Sequence, residues 1–405
     1  IKMNSASLFD IGVLIPDLLL PENADAHKWA CIACDQYTSQ PEIWDAIDAE
    51  VGAAPSTLRL ILPETQLPDA PVRVPEIQKT MEAYARDVLT RRLHGFVLTA
   101  RTTPAGCRKG LMLAVDLEQY DYSAGSASRI RATEGTILSR IPPRMQVRRG
   151  ALLESPHIML LADDKARTLI EPLYEKLHAR APLYDTELMQ DWGHLTGWAV
   201  TDPDDLAAAE RALLALDQAR GDAPLFAVGD GNHSLATAKA VWEELKPSLT
   251  PEQREIHPAR WALCEVVNLY DEALVFAPIH RVLTNVPDAS ELLAALSAAS
   301  DGSDAQAEFV APGISRVLTG LPVEALQPAL DDYLSAHPGV SIDYVHGDDA
   351  ARALGRRPGC CALLPDVLDK LRLFPSVAHG PLPRKAFSMG QASEKRCYFE
   401  CRRIR

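Results

Sequence analysis

The stretch Pro224-Leu-Phe-Ala-Val-Gly-Asp-Gly-Asn-His-Ser-Leu-Ala-Thr-Ala-Lys239 decides how the chain is read. Residues 225–228 are a short apolar run of the kind that forms a buried strand. Gly229-Asp230-Gly231 interrupts it, and Leu235, Ala238, Trp242 and Leu245 then follow at helical spacing. The segment reads as strand, glycine turn and helix start. Gly229 and Gly231 permit positive φ and the close approach of a ligand to backbone N–H groups. Asn232 or Ser234 is placed to cap the helix, whose free N–H groups and roughly +0.5 charge equivalent favour an anion. His233 adds a donor, and Asp230 offers a carboxylate to a metal or to a proton. A structural corner needs no such gathering of Asp, Asn, His and Ser between glycines. The turn lacks the Gly-Lys-Ser/Thr ending of a Walker A loop.

The same alternation recurs on both sides. Residues 11–15, 29–34, 58–62, 96–100, 111–115 and 158–161 read as strands. Pro41 opens a helix carried by Ile43, Trp44, Ile47 and Val51. Residues 77–93, a stretch from about Arg167, and 206–216 read as further helices; 342–345 and 350–354 read as strand then helix. This pattern predicts a mixed α/β (α+β) fold. No repeat or linker interrupts residues 1–405, which read as one unit of two or three subdomains, with Pro203 and Pro287 as the candidate boundaries.

Charge narrows the function classes. Lys and Arg number 41 against 55 Asp and Glu, a net −14 that repels phosphate backbones and argues against a dedicated nucleic-acid binder. No run of 18 apolar residues exists to span a membrane, and Ile1-Lys2-Met3-Asn4 begins no leader pattern. A cytoplasmic protein is expected, with a small-molecule partner and room for a homodimer. Eight cysteines are too sparse for a disulfide scaffold. Cys31 and Cys34 would point to opposite faces of a strand, which suits structural thiols better than a zinc pair.

Three further clusters carry chemistry. Arg129-Ile-Arg-Ala-Thr-Glu-Gly-Thr136 sets Arg131 beside Thr133 and Glu134, a guanidinium with a hydroxyl and a base. Pro278-Ile-His-Arg281 places His280 next to Arg281 at a strand, and Pro383-Arg-Lys-Ala-Phe-Ser-Met-Gly390 supplies Arg384 and Lys385. His194, in Trp192-Gly-His-Leu, reads as a satisfied core histidine.

Residues 28–38, 56–64, 121–144, 226–239, 276–281 and 381–395 together resemble the domain-of-unknown-function family number 1015, a bacterial and archaeal group of about this length. In that family the turn often reads Asp-Gly-His-His-Arg, where this chain has Asp230-Gly231-Asn232-His233-Ser234. The pattern is similar to the Asp-Gly-x-x-Arg turn of ParB-like and sulfiredoxin-type folds, which include free-serine kinases, and family members often lie beside genes of the phosphoserine pathway. The resemblance implies a ParB/sulfiredoxin-like phosphate-binding core with α/β elaborations. It also implies a phosphotransferase of serine metabolism, a free L-serine kinase using ATP, ADP or pyrophosphate with Mg²⁺. Its phosphate cradle would be Gly229, Gly231, Asn232 and Ser234, with charge from Arg131, Arg281, Arg384 and Lys385. Glu134, Asp230 and His233 would be catalytic, Asp230 also the metal ligand, and Thr133 and His280 would touch substrate. Ser234 stands where the family usually has Arg. The rival readings are a phosphoserine phosphatase and a non-catalytic nucleotide- or anion-binding module.

Overall fold

A computed structural model describes residues 6–405, and the opening residues read above for a leader lie outside them. The chain is mixed α/β and divides into two compact units. One comprises residues up to 274 together with 390–405, and the other residues 275–389.

The larger unit is built on a ten-stranded mixed sheet. Across it the strands run Tyr184–Glu187, His194–Val200, Phe96–Thr103, Gly106–Asp116, Trp261–Asn268, Met159–Ala162, Phe226–Asp230, Ile130–Ala132 and Tyr120–Asp121, and Val13–Leu14 joins Gly106–Asp116. Met159–Ala162 lies parallel to Trp261–Asn268 and antiparallel to Phe226–Asp230. Side-chain alternation sorts the two faces. Phe96, Leu98 and Ala100 pack in one core with Leu173, Leu213, Leu235 and Trp242 from three helices. Val97, Met112 and Leu263 pack in another with Trp29, Trp44, Tyr398 and Phe399. The chain's end is thus part of the core that its first helices build.

Several elements depart from the sequence reading. Residues 58–62 are not a strand: Thr57–Leu60 is a 3-10 turn, started where the Ser56 hydroxyl accepts from Leu58 N–H at 3.2 Å. The helix expected at 77–93 is Ala70–Asp87, after which Arg91–His94 pairs with Asp17–Leu20 as a strand. Within 29–34 the chain first makes a short helix, Ala26–Trp29, capped by Asp25, and only Cys31–Ile32 is extended. Cys34 therefore lies beyond the strand. Burial holds the Cys31 thiol well above its ordinary value and pushes Cys34 up to about 12, so neither is a ready thiolate.

The smaller unit carries a five-stranded antiparallel sheet in the order Ile314–Thr319, Gln306–Ala311, Cys360–Pro365, His280–Thr284, Ser341–Val345. The helices Ala289–Ala298 and Val323–Ala336 supply Leu292, Leu296, Leu326 and Leu330 to its main core, and Asp348–Gly355 supplies Ala351 to a second cluster.

Candidate active site

The strand Phe226–Asp230 ends in a turn through Gly231, φ 80°, into the helix Asn232–Leu245. A Cβ on Gly231 would sit 3.0 Å from Ile158 Cα, so the turn rests directly on the segment that leads into the neighbouring strand. The left-handed conformation falls on Gly231, while Gly229 is a strand residue. Gly231 is also the N-cap, which leaves the helix without a side-chain cap; Asn232 and Ser234 are helix residues, not the caps the sequence suggested. The Asn232 side-chain oxygen is buried with no hydrogen-bond partner among the described residues. A buried orphan of this kind costs about 1–3 kcal/mol unless a ligand or water meets it. Asp230 turns back on the turn itself: Oδ1 accepts from Gly231 N–H at 2.9 Å, and Oδ2 lies 3.1 Å from Lys395 Nζ.

His157 is the centre of the arrangement. Its Nε2 is 3.0 Å from Ser234 Oγ and 3.6 Å from Asp35 Oδ2, and its Nδ1 is 2.7 Å from the Tyr398 hydroxyl. Tyr398 reaches it because Cys397–Tyr398 pairs with Cys31–Ile32, and the same hydroxyl accepts from Cys34 N–H at 3.1 Å. Burial disfavours the imidazolium, yet Asp35, Asp230 and Glu64 hold the His157 pKa above its ordinary value. Burial likewise works against the Asp35 carboxylate, but His157, Gln36 and Lys395 bring it far below the usual range. Glu64, tied to Cys34 by its backbone N–H at 2.9 Å, pairs with Arg144 on the helix Ile141–Arg148. Three carboxylate–cation pairs, Asp35–His157, Glu64–Arg144 and Asp230–Lys395, thus gather at one helix start. Glu64, Arg144 and His157 of these pairs also line a cavity of about 160 Å³. Its lining combines the polar side chains of Glu64, Arg144, Arg148, Glu154, Ser234 and Tyr398 with the apolar ones of Leu60, Leu62, Leu67, Met81 and Val147.

A family model described as a protein of unknown function, DUF1015, matches residues 19–334. The chain belongs to the DUF1015 family. Asp35, Glu64, Arg144, His157 and the turn fall inside the matched range, and Lys395 and Tyr398 follow it. No curated protein matches the chain. Among solved structures it is similar to a conserved hypothetical protein from Pyrococcus furiosus, at 9% identity and TM-score 0.36, covering 71% of this chain and 94% of that one. A free serine kinase in complex with ADP matches at 8% and 0.38, covering 71% and 91%. SbnI from Staphylococcus aureus, with a C-terminal truncation, matches at 9% and 0.35, covering 71% and 85%.

Among the residues that the family resemblance singled out, the structure brings Gly229, Asp230, Gly231, Asn232, His233 and Ser234 together at the turn. Thr133 fastens the adjacent strand to it, its hydroxyl donating to Val228 C=O at 2.7 Å. Glu134 follows on the loop, half-buried. Arg131 is on that strand too, but its guanidinium donates to Ser128 C=O and Asp222 C=O, both at 2.8 Å, on the side where Phe226–Asp230 begins. His280, Arg281, Arg384 and Lys385 belong to the smaller unit. Arg281 is fully buried, donating to Gln327 Oε1 at 3.1 Å, to Lys385 C=O at 3.0 Å and to Ile279 C=O. Arg384 is exposed and donates to the Tyr344 hydroxyl at 3.2 Å. His280 Nε2 is 2.9 Å from Asp348 Oδ1. His194 is satisfied but is not the core residue expected: it is partly exposed, between Asp185 and Glu187 at 2.6 and 2.9 Å.

Asp35, Glu64, Arg144, His157, Lys395 and Tyr398 were not picked out by the sequence reading. Four of them, Asp35, Glu64, Arg144 and Lys395, lie within the segments that carry the family resemblance, which was the available signal. His157 and Tyr398 lie in none.

Proposed function

We propose that this chain is a phosphotransferase whose cradle is the 230–234 turn and whose acceptor is a small hydroxyl compound, with free L-serine the first to test. The observation that carries the reading is the gathering of His157, Lys395 and Arg144, each beside a carboxylate, around an uncapped helix N-terminus. Phosphoryl transfer asks for a cradle of N–H groups, cations for the phosphate oxygens and a base for the acceptor hydroxyl. The backbone of Asn232, His233 and Ser234 supplies the cradle. Lys395 and His157 supply the charge, in place of the arginine that Ser234 replaces. Glu64 is the base we favour, because it lines the cavity; Asp35, held so low, is a weak proton acceptor. Asp230 orients Lys395.

The donor is a nucleotide or pyrophosphate. Among the described residues no three His, Cys, Asp or Glu side chains are grouped to cage a metal, and Asp230 is engaged by Lys395 and Gly231. Mg²⁺ would therefore be held chiefly by the donor's own phosphates, as it often is, with Asp230 as a single protein ligand. The test is incubation with L-serine and ATP, ADP or pyrophosphate, followed by detection of phosphoserine. Formation with one donor is expected. No product with any of the three removes serine as acceptor.

A further inference from the structure

The cavity beside the turn is larger and more apolar than free serine requires. Its volume, about 160 Å³, is close to that of an engineered leucine-and-phenylalanine-lined cavity of about 150 Å³ that takes up benzene. Leu60, Leu62 and Met81 are buried core residues that form its wall, so the space is part of a built interior. Its ionisable lining consists of Glu64, Arg144 and His157 near Ser234, and of Arg148 and Glu154, which are paired with each other at 2.7 Å. A molecule that fills it has an apolar body and a polar end. If Glu64 is the base, the hydroxyl it deprotonates must lie within about 3 Å of its carboxylate, so the body in the cavity is the acceptor's. The side chain of serine is a single CH₂OH, which leaves that wall bare.

We infer that the acceptor is a hydroxyl compound bearing an apolar group about the size of a six-membered ring, seated against Leu60, Leu62, Leu67 and Met81 with its hydroxyl at Glu64. This rests on the phosphotransferase reading above. In the reaction the acceptor oxygen forms a bond to the donor's terminal phosphorus as the bond to the donor's bridging oxygen breaks. The hydroxyl proton goes to the Glu64 carboxylate, and the shortened donor leaves with the electron pair.

The test compares L-serine with L-3-phenylserine, the same acceptor carrying a phenyl ring, on the full chain and on Leu62→Trp, which fills the cavity. Turnover is read with each donor, and binding separately by calorimetry. Phenylserine should exceed serine at least tenfold in kcat/KM, and Leu62→Trp should erase that advantage with the donor KM unchanged. Leu62→Ala, which enlarges the space, should retain the preference and so controls for misfolding of the tryptophan variant. Serine turned over as well as or better than phenylserine overturns the inference while leaving the kinase reading standing. A donor KM raised by Leu62→Trp with no change in acceptor preference also overturns it, by giving the cavity to the donor's base. Phenylserine bound tightly, blocked by Leu62→Trp, but never phosphorylated supports the cavity's occupant and sinks the phosphotransferase reading.

Discussion

Each of the two compact units holds a buried histidine next to a carboxylate, and the two pKa values are shifted in opposite directions. His157 meets Asp35 at 3.6 Å, and the charges of Asp230 and Glu64 add to it. Burial pulls its pKa down, but the carboxylates together win, and the ring is held above its ordinary value. His280 meets Asp348 at 2.9 Å, yet Asp348 is more than half exposed. Burial there prevails over Asp348, helped by the positive charges of Arg281 and Arg352, and the pKa is lowered. Arginine shows the same contrast. Arg144 lines a cavity and faces a carboxylate, whereas Arg281 is consumed by two carbonyls and an amide. A charged motif becomes a site where charges converge on an accessible space; otherwise it is a fastener.

The strongest way to break this contrast is to remove one member from each unit. Glu64→Gln keeps the shape of the side chain but cannot take a proton, and kcat should fall about 10²–10⁴-fold with donor binding retained. Arg281→Met should act on stability instead. It leaves buried acceptors at Ile279, Lys385 and Gln327, each costing about 1–3 kcal/mol if nothing replaces the guanidinium. Urea unfolding should show that loss, while the folded fraction keeps its specific activity. Full activity in Glu64→Gln, or an Arg281→Met protein of normal stability and no activity, would exchange the roles assigned to the two units.

The turn was legible in the sequence because everything that makes it is local: the apolar run, the glycine and the helical stripe fall within residues 225–245. The strands Phe96–Thr103 and Gly106–Asp116 and the helix Pro41–Val51 were legible for the same reason. Residues 58–62 misled because an apolar run ending at Pro63 looks like a strand, while the deciding interaction is a serine hydroxyl one residue before Thr57–Leu60. The partners of the turn were hidden by distance along the chain. His157 reaches Tyr398 across 241 residues, and Asp230 reaches Lys395 only because the C-terminal segment returns to pair with Cys31–Ile32. No periodicity within a window reports such a closure. Arg131 and Arg281 misdirect in the opposite sense, since sequence shows their charge and hides the carbonyls that absorb it.

A smaller effect sharpens the account of the turn. Gly231→Ala places a Cβ in a left-handed conformation, costing about 1–2 kcal/mol, and presses it against Ile158 Cα at 3.0 Å. Ile158 follows His157, so the substitution should weaken phosphate binding as well as stability, measured by calorimetry with inorganic phosphate. Gly221→Ala, where the glycine φ is 59° and a Cβ would meet nothing, isolates the backbone cost. Equal phosphate affinity in both variants would mean that the turn's contact with the 155–158 segment does not shape the cradle.

The finest distinction is the sign of each histidine's pH dependence. The folded pKa of His157 lies above its unfolded value of 6.5, so the native state binds the proton more readily than the unfolded chain. Its stabilisation is complete below that value and fades as pH rises through the folded pKa. The folded pKa of His280 lies below 6.5, so there the unfolded chain binds the proton first. Stability linked to His280 is present above 6.5 and is lost as pH falls through the depressed pKa. Glutamine keeps a polar side chain of similar reach without titrating, so His157→Gln and His280→Gln should each flatten one slope of the wild-type curve. Unfolding free energies from urea titrations between about pH 5 and pH 8, the range where histidine charge changes, give the comparison directly. The deficit of His157→Gln relative to wild type should be greatest at the acid end and shrink with rising pH. That of His280→Gln should be least at the acid end and grow. Parallel deficits across the range would show that the two rings are not shifted in opposite directions, and the Asp35, Asp230 and Glu64 carboxylates would then lose their place as the groups that raise the His157 pKa.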